Sequence, residues 1–238
     1  MTLGNGALFV LQTLVILALV LGCFRLGRIW LTAFVGMSAV LINLAVLKQM
    51  DLFGYAATGG NVLYAAIFFA TDLLDEYWGP RAANQAVRIG FLGGLLYLAS
   101  TQVILLYVPN ATDFAHPAMQ TLFGLVPRIV GGSLLAYLIS QHLDVWLFWR
   151  IRQATGAGRL LWLRNNLSTW LSQAVDTVVF SLVAFAGVPD FPLGEVIAVT
   201  YALKVLVAVL DTPFIYLSRR FLPDELRSGA APTVESAD

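Results

Sequence analysis

Seven stretches of apolar residues, at about 7–24, 29–47, 55–75, 85–108, 122–143, 166–188 and 194–217, punctuate the chain. Each comes close to the roughly 20 residues that a helix needs to cross the hydrocarbon core of a bilayer. Backbone N–H and C=O groups find no water there, so helix is the default for every stretch. The third is interrupted near its start by Gly59-Gly60, so the count is about seven spans, or six if the third does not cross. The pattern predicts an all-α polytopic membrane helix bundle in a single domain, residues 1–222. The small polar tail, 223–238, is expected to be disordered. Composition agrees: 12% of residues are charged, against about 25% in a soluble domain, too few to cover a water-facing surface. No basic residue precedes the first stretch and no small-residue cleavage site follows it, which predicts a retained span and not a signal peptide.

The basic residues set an orientation. Arg25 and Arg28 lie in the first connection, Arg81 and Arg88 at the third, Arg150, Arg152, Arg159 and Arg164 around the fifth, and Arg219, Arg220 and Arg227 after the last span. The second connection has only Lys48, and the fourth and sixth have neither Lys nor Arg. By the positive-inside rule the N-terminus is outside and the C-terminus cytoplasmic. Trp146, Trp149 and the arginines of 144–153 suit an interfacial extension of the fifth helix.

Several classes of function are disfavoured. The net charge is zero, so no strong electrostatic partner is implied, and no basic stripe with interleaved aromatics suits a nucleic acid. Cys23 is the one cysteine, which rules out an intrachain disulfide. The two histidines, His116 and His142, lie far apart, and no cluster has the spacing of a metal site. Motifs of ATPases, zinc proteases and serine hydrolases are missing, so no catalytic residue, metal or cofactor is assigned.

Charges nevertheless sit where lipid should be. Asp176 and Lys204 fall near the middle of the sixth and seventh stretches. A charged side chain at mid-depth costs roughly 2.5–3.5 kcal/mol on insertion scales, so such residues face an interior and serve a purpose there. They belong to polar stripes. Ser133, Tyr137, Ser140, Gln141 and Asp144 share one face of the fifth helix; Asn166, Thr169, Gln173, Asp176 and Thr177 share one face of the sixth; Thr200, Lys204 and Asp211 share one of the seventh. Lys204 and Asp211 are about 10.5 Å apart along their axis and cannot pair directly, so each needs another partner. Facing stripes of this kind are expected to line a hydrated pocket. The segments Ser140-Gln141-x-x-Asp144-x-x-x-Phe148 and Ser172-Gln173-x-x-Asp176-x-x-x-Phe180 also match, on helices running in opposite directions, as in inverted transporter repeats.

Depth can be read from the orientation. Asp72, Asp144 and Asp211 fall in the inner part of their spans, Asn165 and Asn166 open the sixth from the cytoplasmic side, and Arg128 lies toward the outside. The polar groups therefore form a column. Asp75 and Glu76, at the inner end of the third span, are expected in cytoplasmic water beside Arg81. Pro213 frees the carbonyl of residue 209 and can kink the seventh helix.

Four segments carry a family resemblance: Ala70-Thr-Asp-Leu-Leu-Asp-Glu-Tyr-Trp-Gly79; Pro127-Arg-Ile-Val with Ala136-Tyr-Leu-Ile-Ser-Gln-His-Leu-Asp144; Leu161-Trp-Leu-Arg-Asn-Asn-Leu-Ser-Thr169 with Ser172-Gln-Ala-Val-Asp-Thr177; and Lys204 through Asp211-Thr-Pro213. With them, roughly residues 40–217 resemble the queuosine precursor transporter family, also grouped with vitamin uptake transporters. The resemblance implies import of 7-deazaguanine bases, the cyano and aminomethyl precursors of queuosine, across a bacterial inner membrane. Residues 1–28 inherit no role from it, and the loop after Gly79 is less basic than in many members.

The polar residues suit such a ligand. A guanine-like edge offers a ring N–H and an exocyclic amine, which a carboxylate, Asp176 or Asp72, can accept together. Its carbonyl edge needs donors, which Asn165, Asn166, Gln173 or Lys204 supply. The flat ring needs an aromatic or apolar slot. A cationic aminomethyl group calls for a further carboxylate, Asp144 or Asp211, and Gln141 completes the candidate set. The expected partners are a small nucleobase-like molecule and the lipid bilayer, with a homodimer as a further state. Rival readings are a substrate-binding membrane subunit of an ATP-driven uptake complex, a membrane-embedded enzyme, and a retinal-type photoreceptor. The last requires a carboxylate one turn before the lysine, where this chain has Thr200.

Overall fold

A computed structural model describes residues 4–124, 126–156, 160–186 and 193–227. Seven long helices run through the described residues: α1 (Asn5–Leu26), α2 (Arg28–Ala45), α3 (Asn61–Trp78), α4 (Pro80–Leu105), α6 (Val126–Thr155), α7 (Leu161–Phe185) and α8 (Leu193–Leu217). A short α5 (His116–Gly124) precedes α6, and a 3-10 turn (Ser218–Arg220) and α9 (Asp224–Arg227) follow α8. Five of the long helices are apolar enough by composition to cross a membrane. The other two, α3 and α6, carry Asp72, Asp75 and Glu76, and Asp144, Arg150 and Arg152.

Helix α3 can carry three acids because it never meets lipid. It is buried over most of its length, wrapped by α1, α2, α4, α6 and α8. A helix enclosed on all sides needs no apolar face toward the bilayer. Its apolar residues Ile67, Phe68, Phe69, Leu73 and Leu74 form the centre of the hydrophobic core. The outer helices turn Leu11, Val15, Leu92, Leu96, Leu171 and Val178 outward, the apolar belt that a hydrocarbon surround requires.

The connections are tight. Gly27 (φ 115°) alone joins α1 to α2, and Gly79 (φ 81°) alone joins α3 to α4, backbone values that a Cβ disfavours. Between α2 and α3 lies an antiparallel hairpin, β1 (Gln49–Leu52) and β2 (Tyr55–Thr58), in register from Gln49↔Thr58 to Leu52↔Tyr55. Phe53 and Gly54 turn it with φ of 54° and 88°, positive at both positions as a tight I′ connection demands. The third span therefore starts at residue 61, not 55: the apolar run before Gly59-Gly60 is strand. Likewise the fifth stretch divides between α5 and the 30-residue α6, and the sixth helix starts five residues earlier than its apolar run. Leu52 and Ala57 pack with Phe9, Val62, Leu203 and Val207, so the hairpin caps one end of α1, α3 and α8.

The bundle has a hairpin end and a basic end. At the hairpin end Asn5 donates to the Asp51 carbonyl. At the basic end Arg25 bonds Asp224, Arg28 bonds Gln85, and Tyr77 bonds Ser218. Residues 224–227 of the tail expected to be disordered thus form a helical turn tied to α1; residues 228–238 lie outside the described residues, as does Arg159.

Helix α4 approaches α6 through Gly90. A Cβ there would collide with the Tyr137 hydroxyl, with Ala39 Cβ only 3.3 Å away on the other side. Gly90→Ala is expected to destabilise the bundle by about 1–3 kcal/mol, as overpacking does. Gly22→Ala, where a Cβ meets nothing within 4 Å, should leave the melting temperature in detergent unchanged or slightly raised.

Candidate functional site

All nine polar residues singled out in the sequence (Asp72, Gln141, Asp144, Asn165, Asn166, Gln173, Asp176, Lys204 and Asp211) are buried, none exposing more than 5% of its surface. They come from α3, α6, α7 and α8 and form three connected layers along the bundle axis.

The layer nearest the hairpin end centres on Asp176. Its Oδ2 accepts from Lys204 Nζ at 2.5 Å. Its Oδ1 accepts from Ser140 Oγ at 3.1 Å and from the Tyr64 hydroxyl. Lys204 Nζ also stands 4.5 Å from the centre of the Tyr64 ring, a cation–π contact, and Tyr137 meets Tyr64 edge to face. The expected hydrated pocket between Asp176 and Lys204 is therefore corrected: the two close directly on each other. Lys204 and Asp211 do find separate partners, as their spacing demanded.

The middle and inner layers centre on Asp72, Asp144 and Asp211. Thr71 Oγ1 donates to Gln141 Oε1 at 3.2 Å, Thr169 Oγ1 to Asp72 Oδ2 at 3.3 Å, and Ser172 Oγ to Asp144 Oδ1 at 2.8 Å. Asn165 Nδ2 donates to Asp211 Oδ1 and Asn166 Nδ2 to Thr212 Oγ1, both at 2.7 Å, tying the start of α7 to α8. Thr169 and Ser172, one turn apart on α7, bring Asp72 and Asp144 against the same stretch of that helix. Several buried polar atoms here have no protein partner: both ends of the Gln173 amide, Gln141 Nε2, Asp144 Oδ2, Asn165 Oδ1 and Asn166 Oδ1.

A layer at the basic end overturns another expectation. Asp75 and Glu76 do not stand in water beside Arg81. Asp75 is fully buried, and Glu76 accepts from Arg164 at 2.5 Å and lies 3.8 Å from Arg152. Arg164, the largest fully buried side chain, stacks over Phe148, while Arg152 donates to the carbonyls of Asp75 and Glu76 at the end of α3. Sequence reasoning missed Tyr64, Arg152 and Arg164. Tyr64 stands two turns before Asp72 on the same face of α3, a signal available in the spacing. Arg164 directly precedes the Asn165-Asn166 pair, in the polar first turn of α7 that lies ahead of the apolar run.

The matching Ser-Gln-x-x-Asp segments lie against each other. Ser140 of α6 bonds Asp176 of α7, and Ser172 of α7 bonds Asp144 of α6. The two motifs exchange their hydroxyls across an antiparallel helix pair.

A helical bundle that holds charges on its axis suits a membrane transporter. Residues 58–218 match the family model described as "Putative vitamin uptake transporter", which spans every residue of the three layers. The chain belongs to this family of transporters. It is 41% identical over 203 residues to the "Probable queuosine precursor transporter" of Bacillus subtilis, covering 85% of this chain and 89% of that one. It is 31% identical over 187 residues to the "Queuosine precursor transporter" of Escherichia coli, covering 76% and 80%. A third relative, from Haemophilus influenzae, carries the same description as the first at 27% identity, covering 72% of each chain. No solved structure matches the chain.

The Asp176–Lys204 pair gives a direct test of charge in the core. Removing one partner of a buried ion pair costs about 3–5 kcal/mol, because the other is stranded. Asp176→Asn should lower thermal stability by that order, and adding Lys204→Met should recover most of it. Equal melting temperatures for the single and double variants would show that the pair carries no buried charge.

Proposed function

We propose that this chain imports queuosine precursors, the cyano- and aminomethyl-substituted 7-deazaguanine bases, across the bacterial inner membrane. The basic end of the bundle lies in the cytoplasm by the positive-inside rule. The observation that carries the reading is Gln173: a fully buried amide with neither its oxygen nor its nitrogen bonded to protein, one turn from Asp176 on the same face of α7. A buried amide left unmet costs about 1–3 kcal/mol, which a ligand of matching shape recovers. A carboxamide presents one donor and one acceptor side by side, the pattern that reads a purine edge.

The remaining roles follow from chemistry. Asp176 or Asp72 accepts from the ring N–H and exocyclic amine. Gln173, Asn165, Asn166 and Lys204 serve the carbonyl edge, and Asp144 or Asp211 meets a cationic aminomethyl group. Gln141 presents a free Nε2 on the same axis. Tyr64 and Tyr137, edge to face at 6.5 Å, supply the aromatic slot. Entry requires Asp176 and Lys204 to part, and the base then hydrogen-bonds the released carboxylate in place of the lysine. The names of the relatives, two of them above 30% identity over most of both chains, support the same substrate class.

A thermal-shift titration of the purified protein with the two deazaguanines, guanine and unrelated vitamins tests this. The deazaguanines should raise the melting temperature and the vitamins should not. Gln173→Met should keep the fold and weaken binding about tenfold or more, the equivalent of one or two lost hydrogen bonds. Asp176→Asn should abolish uptake by cells while the protein still reaches the membrane. Unchanged uptake would remove Asp176 from the site.

A further inference from the structure

Among the described residues the interior holds more acid than base. Asp72, Asp75, Glu76, Asp144, Asp176 and Asp211 share it with Lys204, Arg152 and Arg164. The three bases are committed: Lys204 to Asp176, and Arg152 and Arg164 to Glu76, beside Asp75. Among the described residues no ion pair reaches Asp72, Asp144 or Asp211. Asp72 on α3 faces Asp75 on its own helix, Asp144 from α6 and Asp211 from α8, while α7 offers it the Thr169 hydroxyl. Asp144 faces Asp72, Asp75 and Asp211 together with the hydroxyls of Ser168, Thr169 and Ser172. An uncompensated carboxylate out of water costs several kcal/mol, so these groups cannot all be ionised.

The geometry says where the missing positive charge goes. The Asp72 and Asp144 carboxyls, both buried, accept from Thr169 and Ser172, which stand one turn apart on α7, so the two acids lie against the same stretch of that helix. Two ionised carboxylates side by side have only acceptor oxygens and repel; a single proton neutralises one and makes it a donor. Asp144 Oδ2 is buried and receives no hydrogen bond from any other donor, and Asn165 Oδ1, beside Asp211, is likewise unmet. A metal ion is a poorer occupant, because no group of three or more acidic, His or Cys side chains among the described residues has the arrangement to hold one.

We propose that Asp72 and Asp144 bind one proton between them, and that this proton is the ion that moves with the substrate. The step is an O–H bond made from water on one side of the membrane and broken to water on the other, with no electron transferred. The proton site stands on the carboxyl geometry alone; its coupling to import rests on the function proposed above.

Two measurements separate these claims. Infrared spectroscopy of the purified full chain should show the C=O stretch of a protonated carboxylic acid at neutral pH, reduced in both Asp72→Asn and Asp144→Asn. Absence of that band in the wild type overturns the proton site, whether or not a deazaguanine binds. In proteoliposomes, a gradient one pH unit more alkaline inside should drive about tenfold accumulation of the cyano precursor at one proton per molecule, with acidification reported by a trapped pH dye. Uptake that ignores the pH gradient, or follows a sodium gradient at fixed pH, overturns the coupling while leaving the substrate assignment standing. Failure of every deazaguanine to bind sinks the substrate assignment and leaves the infrared band to decide the proton site. The wild-type readouts stand by themselves if either variant fails to fold.

Discussion

Ser140 and Ser172 each place a hydroxyl on the aspartate of the opposite helix, and the polar core is organised around that exchange. In a medium of low dielectric a carboxylate without donors is costly, so both bonds must be kept together. Turning either helix by one residue, about 100°, strips both at once. The exchange therefore fixes the register of α6 against α7, the most extensive helix contact in the bundle. Register in turn decides what α3 and α8 can deliver: Tyr64 and Lys204 at the Asp176 level, Asp72 at the Asp144 level, and Asp211 opposite Asn165.

The central position of α3 follows from the same constraint. Its apolar residues would suit lipid, but Asp72, Asp75 and Glu76 would not, and only a helix enclosed by others can carry both. Enclosure is achieved with very short connections, Gly27 and Gly79, which fold α1 onto α2 and α4 onto α3 without adding loop. At its basic end α3 is closed by Arg152 and Arg164, which meet its acids and its last carbonyls together; cations at a helix C-terminus complement its dipole as well as the side chains. At the other end the β-hairpin covers it.

The sequence revealed which residues face inward more readily than what they touch. A polar residue on an apolar helix in lipid has one direction to turn, so periodicity alone brought Gln141, Asp144, Asn166, Gln173, Asp176, Lys204 and Asp211 to the axis. Depth at a helix end is another matter. Whether Glu76 or Arg164 is wet depends on how far neighbouring helices extend, and α7 starting at Leu161 and α6 running to Thr155 draw both inside. The hairpin escaped for a local reason: Leu52, Phe53, Tyr55, Ala56 and Ala57 are as apolar as a span, and only the paired register across Phe53-Gly54 distinguishes them. The closure of Asp176 on Lys204 escaped because stripes specify faces, not the rotamers that bring two side chains into contact.

The two serine–aspartate motifs make an approximate two-fold arrangement out of α6 and α7, yet the carboxylates they present end in different company. Asp176 meets a lysine, whose charge is covalently fixed to α8; Asp144 meets another carboxyl and hydroxyls, where neutrality depends on what water delivers. Equivalent backbones with unequal neutralising groups give a bundle two states of unequal cost: separating Asp176 from Lys204 exposes two charges, whereas separating Asp144 from Asp72 exposes at most one. A neutral heterocycle lowers the first cost by hydrogen-bonding the released carboxylate, and protonation lowers the second. The asymmetry thus lies in side chains from α3 and α8, laid over a helix pair that is itself close to symmetric.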